Sequence, residues 1–179
     1  MSKDSYRKTA KRYDMLVEPL VSHLRAIGMR MAAPQEGMLV LDIGCGTGFL
    51  FDQFTQSVKF FIGIELSINA IREAKKRLKN ASNIELIRAD ADYTPFPNKI
   101  FDKVIAISVL QNLPNSLKTI REMKRIGKLE TVFAITGLKK KFTPESFVDI
   151  LERAHLKLLM LNTNQRLKGH IAVCGNVEA

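Results

Sequence analysis

Residues 40 to 50 read VLDIGCGTGFL, an apolar run interrupted by Asp42 and followed by Gly44, Gly46 and Gly48 at alternate positions. Glycine-rich loops of this kind let the backbone come close to a nucleotide-like ligand. The dinucleotide fingerprint is G-x-G-x-x-G, with a helix N-terminus facing a pyrophosphate. Here the spacing is G-x-G-x-G, and Phe49 stands where the third glycine would be. Asp42, two residues before Gly44, also counts against a pyrophosphate, because a carboxylate beside it is repulsive. An acid at that point suits a ligand with a positive charge, such as an amino group or a sulfonium.

That chemistry points away from NAD and toward S-adenosylmethionine. Glu65 closes a second apolar run, 21 residues after Gly44, where a carboxylate accepts bonds from a ribose diol. Ribose is common to both cofactors, so Glu65 does not separate them. Asp90 follows a third run and is placed to meet an adenine amino group. Each acid alone is equally well explained as a cap of a loop or helix. The three together, at successive strand ends, point to a ligand.

The elements that must carry these residues alternate. Apolar runs at 38–43, 59–65, 84–88, 102–108 and 130–136 read as buried strands. Segments 49–56, 67–80, 115–127 and 143–155 read as helices, with Ser67 a natural N-cap and Thr143-Pro144 a helix start. The closing runs LKLLMLN and HIAVCGN, separated by TNQRLKG, suit a hairpin. Regular alternation with near-continuous apolar strands predicts an α/β fold: a Rossmann-like doubly wound, seven-stranded, mostly parallel sheet with a C-terminal antiparallel hairpin. Before it, Tyr13, Leu16, Leu20, Leu24, Ile27 and Met31 recur at helical spacing. Pro19 divides that stretch into two helices. We expect one domain over 1–179, with helices over 1–33 and the core over 38–179.

Several of these strings together resemble the class I S-adenosylmethionine-dependent methyltransferases, of the methyltransferase-domain type found in quinone and small-molecule methylation. They are VLDIGCGTG, GIELS with Glu65, ADADYTPFPNKIFDKVIA and the closing hairpin. The stretch around Pro95, Phe96, Pro97 and Phe101-Asp102 resembles the family segment LPFPDxSFDxV. The resemblance implies S-adenosylmethionine as cofactor. It implies Gly44, Cys45, Gly46 and Gly48 near the methionine part, with Asp42 at its amino group. Glu65 would hold the ribose, Leu66 would pack on the adenine, and Asp90 and Ala91 would address the adenine edge. Ser108 would lie under the methionine moiety. Tyr13 resembles the YD of an N-terminal lid that closes over the cofactor in quinone-type relatives; membership of the apolar stripe explains it equally well.

Methyl transfer from a sulfonium is an in-line displacement that needs alignment and exclusion of water, and a base only where the acceptor must lose a proton. No residue stands out as catalytic. Gln111 and Asn112, after the fourth strand, are candidates to hydrogen-bond an acceptor, alongside a role in starting the next helix; Tyr13 is a third candidate. The NLPN of residues 112–115 lacks the second proline and the aromatic of the NPPY motif, so an amino-group methyltransferase of that kind is not indicated. His23, His155 and His170 have no metal-ligand spacing, and no metal is expected.

The chain has 179 residues, of which 46% are hydrophobic, enough for one core. Its net charge of +10 favours an anionic partner, with nucleic acid among the options. Lys139, Lys140 and Lys141 follow the fifth strand and would rim the cofactor mouth, where they would suit a phosphate-bearing acceptor or simply a solvated loop. Two distant cysteines, no membrane-length apolar run and no signal-peptide pattern lead us to expect a cytoplasmic protein. Oligomeric state is not legible. The expectation is a methyltransferase acting on a small molecule or lipid-like acceptor. The alternatives are an RNA or protein acceptor using the basic surface, and a regulatory protein that binds the cofactor without turnover.

Overall fold

The computed structural model describes residues 35–51, 58–78 and 81–176. The helices expected over 1–33, with Tyr13 and His23, and most of the helix expected at 49–56 lie outside the described residues. The strands are β1 (Leu39–Ile43), β2 (Phe60–Glu65), β3 (Ile84–Arg88), β4 (Phe101–Ala106), β5 (Gly127–Leu138), β6 (Leu156–Asn162) and β7 (Gly169–Asn176). The helices between them are α1 (Ile68–Arg77), α2 (Ser116–Ile126) and α3 (Pro144–Arg153). A single 3-10 turn, Leu110–Asn112, precedes α2.

All seven strands form one sheet in the order β3-β2-β1-β4-β5-β7-β6. Pairing is parallel from β3 to β5, and β7 runs antiparallel between β5 and β6. This is the expected doubly wound sheet with an antiparallel closing strand. Strand order reverses between β1 and β4. The register brings the strand ends level and sets each acid two residues beyond the last: Asp42 lies opposite Gly63, Ile43 opposite Ile64, and Glu65 opposite Arg88. Strands that end level expose their terminal side chains along one edge.

Both faces are covered. Leu41, Ile43, Val104 and Phe133 pack with Ile120 and Met123 of α2 and with Phe147 and Leu151 of α3. On the other face Val40, Phe61, Ile105 and Ala134 pack with Phe51 and with Ala74 of α1. Helix starts follow the sequence signals. The Ser67 side chain accepts from the Ala70 amide, Asn115 accepts from Lys118, and Thr143 forms a reciprocal box with Ser146 ahead of Pro144. Among the described residues, no helix is long and apolar enough to cross a membrane.

Several boundaries differ from the sequence reading, and two of them have a cause in the fold. The fourth strand stops at Ala106 rather than residue 108, because Ser108 turns into the left-handed region at φ 60°. The fifth begins at Gly127, directly after α2, rather than at residue 130. Gly127 is extended at φ −74°, ψ 142° and caps α2. It pairs with Phe101, and Lys128 then bonds Asp102 at 2.6 Å. Tertiary pairing, absent from local sequence, lengthens the strand.

Candidate functional site

In an open α/β sheet, a crevice opens at the carboxyl ends of the strands where their order reverses. Here it is a cavity of about 450 Å³. Asp42 of β1, Glu65 of β2, Asp90 after β3 and Ser108 after β4 all line it. The loops after four strands thus converge on one space.

The glycine loop turns through three left-handed residues, Gly44 at φ 68°, Gly46 at 58° and Gly48 at 80°. A Cβ on Gly44 would stand 2.4 Å from Val109 Cγ2. One on Gly46 would have nothing within 4 Å, so its backbone is open to an approaching group. Gly48 does not line the cavity; its amide donates to the Cys45 carbonyl at 3.0 Å and closes the turn. The Cys45 amide donates to Ile64 at 3.0 Å, stitching the loop onto β2.

Glu65 reinforces that stitch. One carboxylate oxygen accepts the Gly46 amide at 3.2 Å and the other accepts the Ser67 amide at 2.8 Å. The side chain therefore ties the glycine loop to the start of α1, a role its sequence position did not disclose. Asp42 is 2% exposed, a costly place for an acid unless something compensates its charge. The Cys45 thiol lies in the same wall. Burial, and then the Asp42 and Glu65 carboxylates, push its pKa well above the ordinary value. It remains a neutral thiol at physiological pH.

The third wall is the loop after β3. The Asp90 carboxylate accepts the Asp92 amide at 2.9 Å, and Ala91 faces the cavity. Helix α2 holds this loop from outside. Glu122 accepts from the Thr94 amide at 2.8 Å and from its hydroxyl at 2.6 Å. Arg125 engages both oxygens of Glu122 at 2.7 Å and reaches Asn98 at 2.6 Å. Thr119 donates to Asp92, and the Lys118 ammonium stands 3.4 Å from the Tyr93 ring centre. Burial opposes ionisation of Glu122, but the hydrogen bonds from Arg125 and Thr94 outweigh it and lower its pKa.

Ser108 is the most constrained residue of the fourth wall. Its amide donates to Thr136 Oγ1 at 2.7 Å. Its carbonyl accepts from Gln111 at 2.7 Å and from Asn112 at 3.4 Å. Ser108 lines the cavity, and its hydroxyl is buried without a hydrogen-bond partner. An unpartnered buried hydroxyl in the cavity wall, beside an unobstructed Gly46 backbone and a buried acid, fits a polar ligand carrying positive charge.

The structure brings together nearly all the residues singled out by sequence. Asp42, Gly44, Cys45, Gly46, Glu65, Leu66, Asp90, Ala91, Ser108 and Asn112 line the one cavity. Gln111 does not; its amide is folded back on the Ser108 carbonyl. Sequence reasoning passed over the apolar lining: Phe49 and Leu50 after the glycines, and Val109 and Leu113 beside the 3-10 turn. Adjacency to the motif residues was the available signal. Of the lysines, Lys141 does reach the cavity lip, donating to the Gln111 and Leu113 carbonyls at 3.0 and 3.2 Å. Lys139 instead turns toward the Thr163 and Asn164 carbonyls. His155 is an exposed residue at φ 57° after α3, and His170 is buried, stacked on Phe147 with Nε2 3.0 Å from the Phe142 carbonyl. Among the described residues no cluster could hold a metal ion.

Comparison with known proteins agrees with this geometry. A profile described as a methyltransferase domain matches residues 34–171. An uncharacterized protein of Methanocaldococcus jannaschii is 33% identical over 134 residues, 75% of this chain and 50% of that protein. A demethylmenaquinone methyltransferase of Listeria welshimeri is 31% identical over 105 residues, 56% of this chain and 44% of that protein. The chain thus spans half or less of the length of these curated relatives. A SAM dependent methyltransferase from Aquifex aeolicus superposes with a TM-score of 0.79 over 96% of this chain and 98% of that one, at 20% identity, a likeness of fold. With three-quarters of its length matched by the profile and a crevice formed at the switch point of the sheet, the chain belongs to the methyltransferase domain family.

Proposed function

We propose that the protein transfers a methyl group from S-adenosylmethionine to an acceptor whose reacting group is uncharged and flat. The observation that carries this reading is the shared cavity, which the buried Asp42, the open Gly46 backbone and Ser108, whose buried hydroxyl has no partner, line together. In this reading Asp42 faces the cofactor's amino group, and the loop Gly44-Cys45-Gly46 with Ser108 takes its methionine part, Gly48 closing the turn behind them. Glu65 holds the ribose. Each of its oxygens accepts one amide and retains a lone pair for a ribose hydroxyl. Asp90 and Ala91 address the adenine, with the exposed Leu66 packing on it.

When bound, S-adenosylmethionine supplies an electrophilic methyl on a sulfonium with a neutral leaving group. The protein's part is alignment and exclusion of water, which account for much of the acceleration in displacements of this kind. Phe49, Leu50, Val109 and Leu113 give the cavity part of its apolar lining, and they support a flat, uncharged acceptor group. The Listeria relative, named for demethylmenaquinone, is consistent with such a group, free or attached to a larger molecule. Gln111 and Asn112 are held on the Ser108 carbonyl and serve to fix that turn. The two described cysteines are unpaired and buried, which supports a reducing compartment such as the cytoplasm.

Calorimetric titration with S-adenosylhomocysteine, for the wild type and Asp42→Asn, tests the cofactor assignment. We expect a single site, weakened by about 10- to 100-fold in the variant, the range for losing a charged hydrogen bond. Labelled methyl transfer into cell extract, partitioned by nuclease, protease and organic solvent, then identifies the acceptor class. Failure of the wild type to bind, or unchanged binding by Asp42→Asn, would overturn the assignment.

A further inference from the structure

We propose that the loop after β5 and the turn between β6 and β7 form one basic rim that binds the phosphates of single-stranded RNA and presents a base to the cavity. The choice of a single strand and the second half of this statement rest on the methyl-transfer reading; the docking of a chain of phosphates does not. The two segments are joined by the sheet itself. The β5–β7 ladder runs to the pair Leu138–Gly169, and the Lys139 amide continues it by donating to the Lys168 carbonyl at 3.1 Å. The Lys139 ammonium then bonds the Thr163 and Asn164 carbonyls at 3.1 and 2.8 Å. Lysines distant from Arg166 and Lys168 in sequence are thereby placed beside them.

The charge of this rim is of one sign. Residues 138–144 and 162–169 carry five cations, Lys139, Lys140, Lys141, Arg166 and Lys168, and no acid. Among the described residues, the ion pairs Lys76–Glu73, Arg125–Glu122, Lys128–Asp102 and Arg153–Asp149 all lie off these segments. Four basic side chains elsewhere are paired with acids in this way; among the described residues, none of the rim's five is. Lys140, Lys141, Arg166 and Lys168 are exposed. The rim also reaches the site, because Lys141 bonds the carbonyls of Gln111 and Leu113 and Leu113 lines the cavity. Both segments follow the carboxyl ends of β5 and β6, the same edge of the sheet as Asp42 and Glu65.

Five cations spread over two segments exceed what one phosphate group engages, so a chain of phosphates is the matching partner. A membrane would call for apolar side chains exposed among the cations, but Phe142 is buried at 8% exposure. The exposed large apolar side chains, such as Leu66, Tyr93, Leu159 and Met160, lie outside both segments. A single strand is specified because a paired base is unreachable by chemistry in a cavity unless it leaves the stack.

The test uses the full chain and a fluorescein-labelled single-stranded oligouridylate, followed by anisotropy across a salt series. Binding should weaken linearly on a log–log plot. The triple variant Lys140→Ala, Arg166→Ala, Lys168→Ala should lower the slope by about 2, at roughly 0.7 per phosphate contact. A matched change on α1, Arg72→Ala with Lys75→Ala, should leave the slope unaltered. Lys139 and Lys141 are spared because their ammonium groups hold the loops together. The proposal fails if the oligouridylate does not bind at low salt, if the triple variant binds like the wild type, or if the α1 variant weakens binding equally. Pelleting with anionic vesicles in place of RNA binding would also overturn it, in favour of a lipid surface. S-adenosylhomocysteine titration of the wild type separates the two readings: no RNA binding with intact cofactor binding removes this proposal alone, and RNA binding without cofactor binding removes the methyltransferase reading alone.

Discussion

Thr136 of β5 holds Ser108 from behind: its Oγ1 accepts the Ser108 amide at 2.7 Å, while Ser108 sits at φ 60° in the wall of the cavity. A left-handed non-glycine residue costs roughly 1–2 kcal/mol and persists where its surroundings over-determine it. Thr136 is itself 2% exposed and does not line the cavity.

Thr136→Val keeps the shape of the side chain and deletes the acceptor. Leaving the Ser108 amide unpaired should cost about 1–3 kcal/mol. We expect a lower unfolding midpoint and weaker S-adenosylhomocysteine binding, both restored in Thr136→Ser. Valine with undiminished affinity would show that the turn is held by the Gln111 and Asn112 bonds alone.

Ser108→Gly separates strain from hydroxyl. Glycine accepts φ 60° freely, so the melting temperature should hold or rise, while cofactor affinity falls through loss of the hydroxyl. Calorimetry and thermal melts on the same preparation decide it. An affinity equal to wild type would remove the Ser108 hydroxyl from the binding set.

The glycine loop offers a graded pair. Gly46→Ala meets no atom within 4 Å and should lose only the roughly 1–2 kcal/mol of the left-handed backbone. Gly44→Ala adds a clash with Val109 Cγ2 at 2.4 Å, and should be the more destabilised by urea unfolding. Combining it with Val109→Ala should recover the difference between the two. Equal losses for Gly44→Ala and Gly46→Ala would mean that Val109 yields without cost.

Glu122 sets part of the acid limit of stability. Its pKa is below the ordinary value of 4.5 in the folded chain, so its contribution is complete above that value. It is lost as pH falls through the lowered folded value. Glu122→Gln should therefore show a shallower loss of urea midpoint below about pH 4.5, with lower stability at neutral pH. Parallel pH profiles for the two proteins would assign the acid limb to other carboxylates.

The parts legible in sequence are those fixed by local chemistry. Asp42, Glu65 and Asp90 close apolar runs, and strands of matched length bring their ends level, so the acids could be placed before any fold was known. Ser67, Asn115 and Thr143 cap their helices as their types dictate. What was hidden depends on pairing across the sheet. The Thr136–Ser108 bond spans 28 residues, the early start of β5 follows from Phe101 and Asp102, and Lys139 meets Lys168 only through the β5–β7 ladder. The left-handed turn at Ser108 carries no local signal, since serine gives no reason to expect it.

The carboxylate of Glu65, gripped by the Gly46 and Ser67 amides, has a consequence for how the crevice receives its ligand. An acid waving at a strand end would have to be stilled by each arriving ribose, at a cost in entropy on every binding event. This one is immobilised once, when the chain folds, and the loop and helix start are immobilised with it. A sugar hydroxyl that lands on Glu65 thus leans on a three-way junction, and any strain it introduces is felt at the glycine turn and at α1 together.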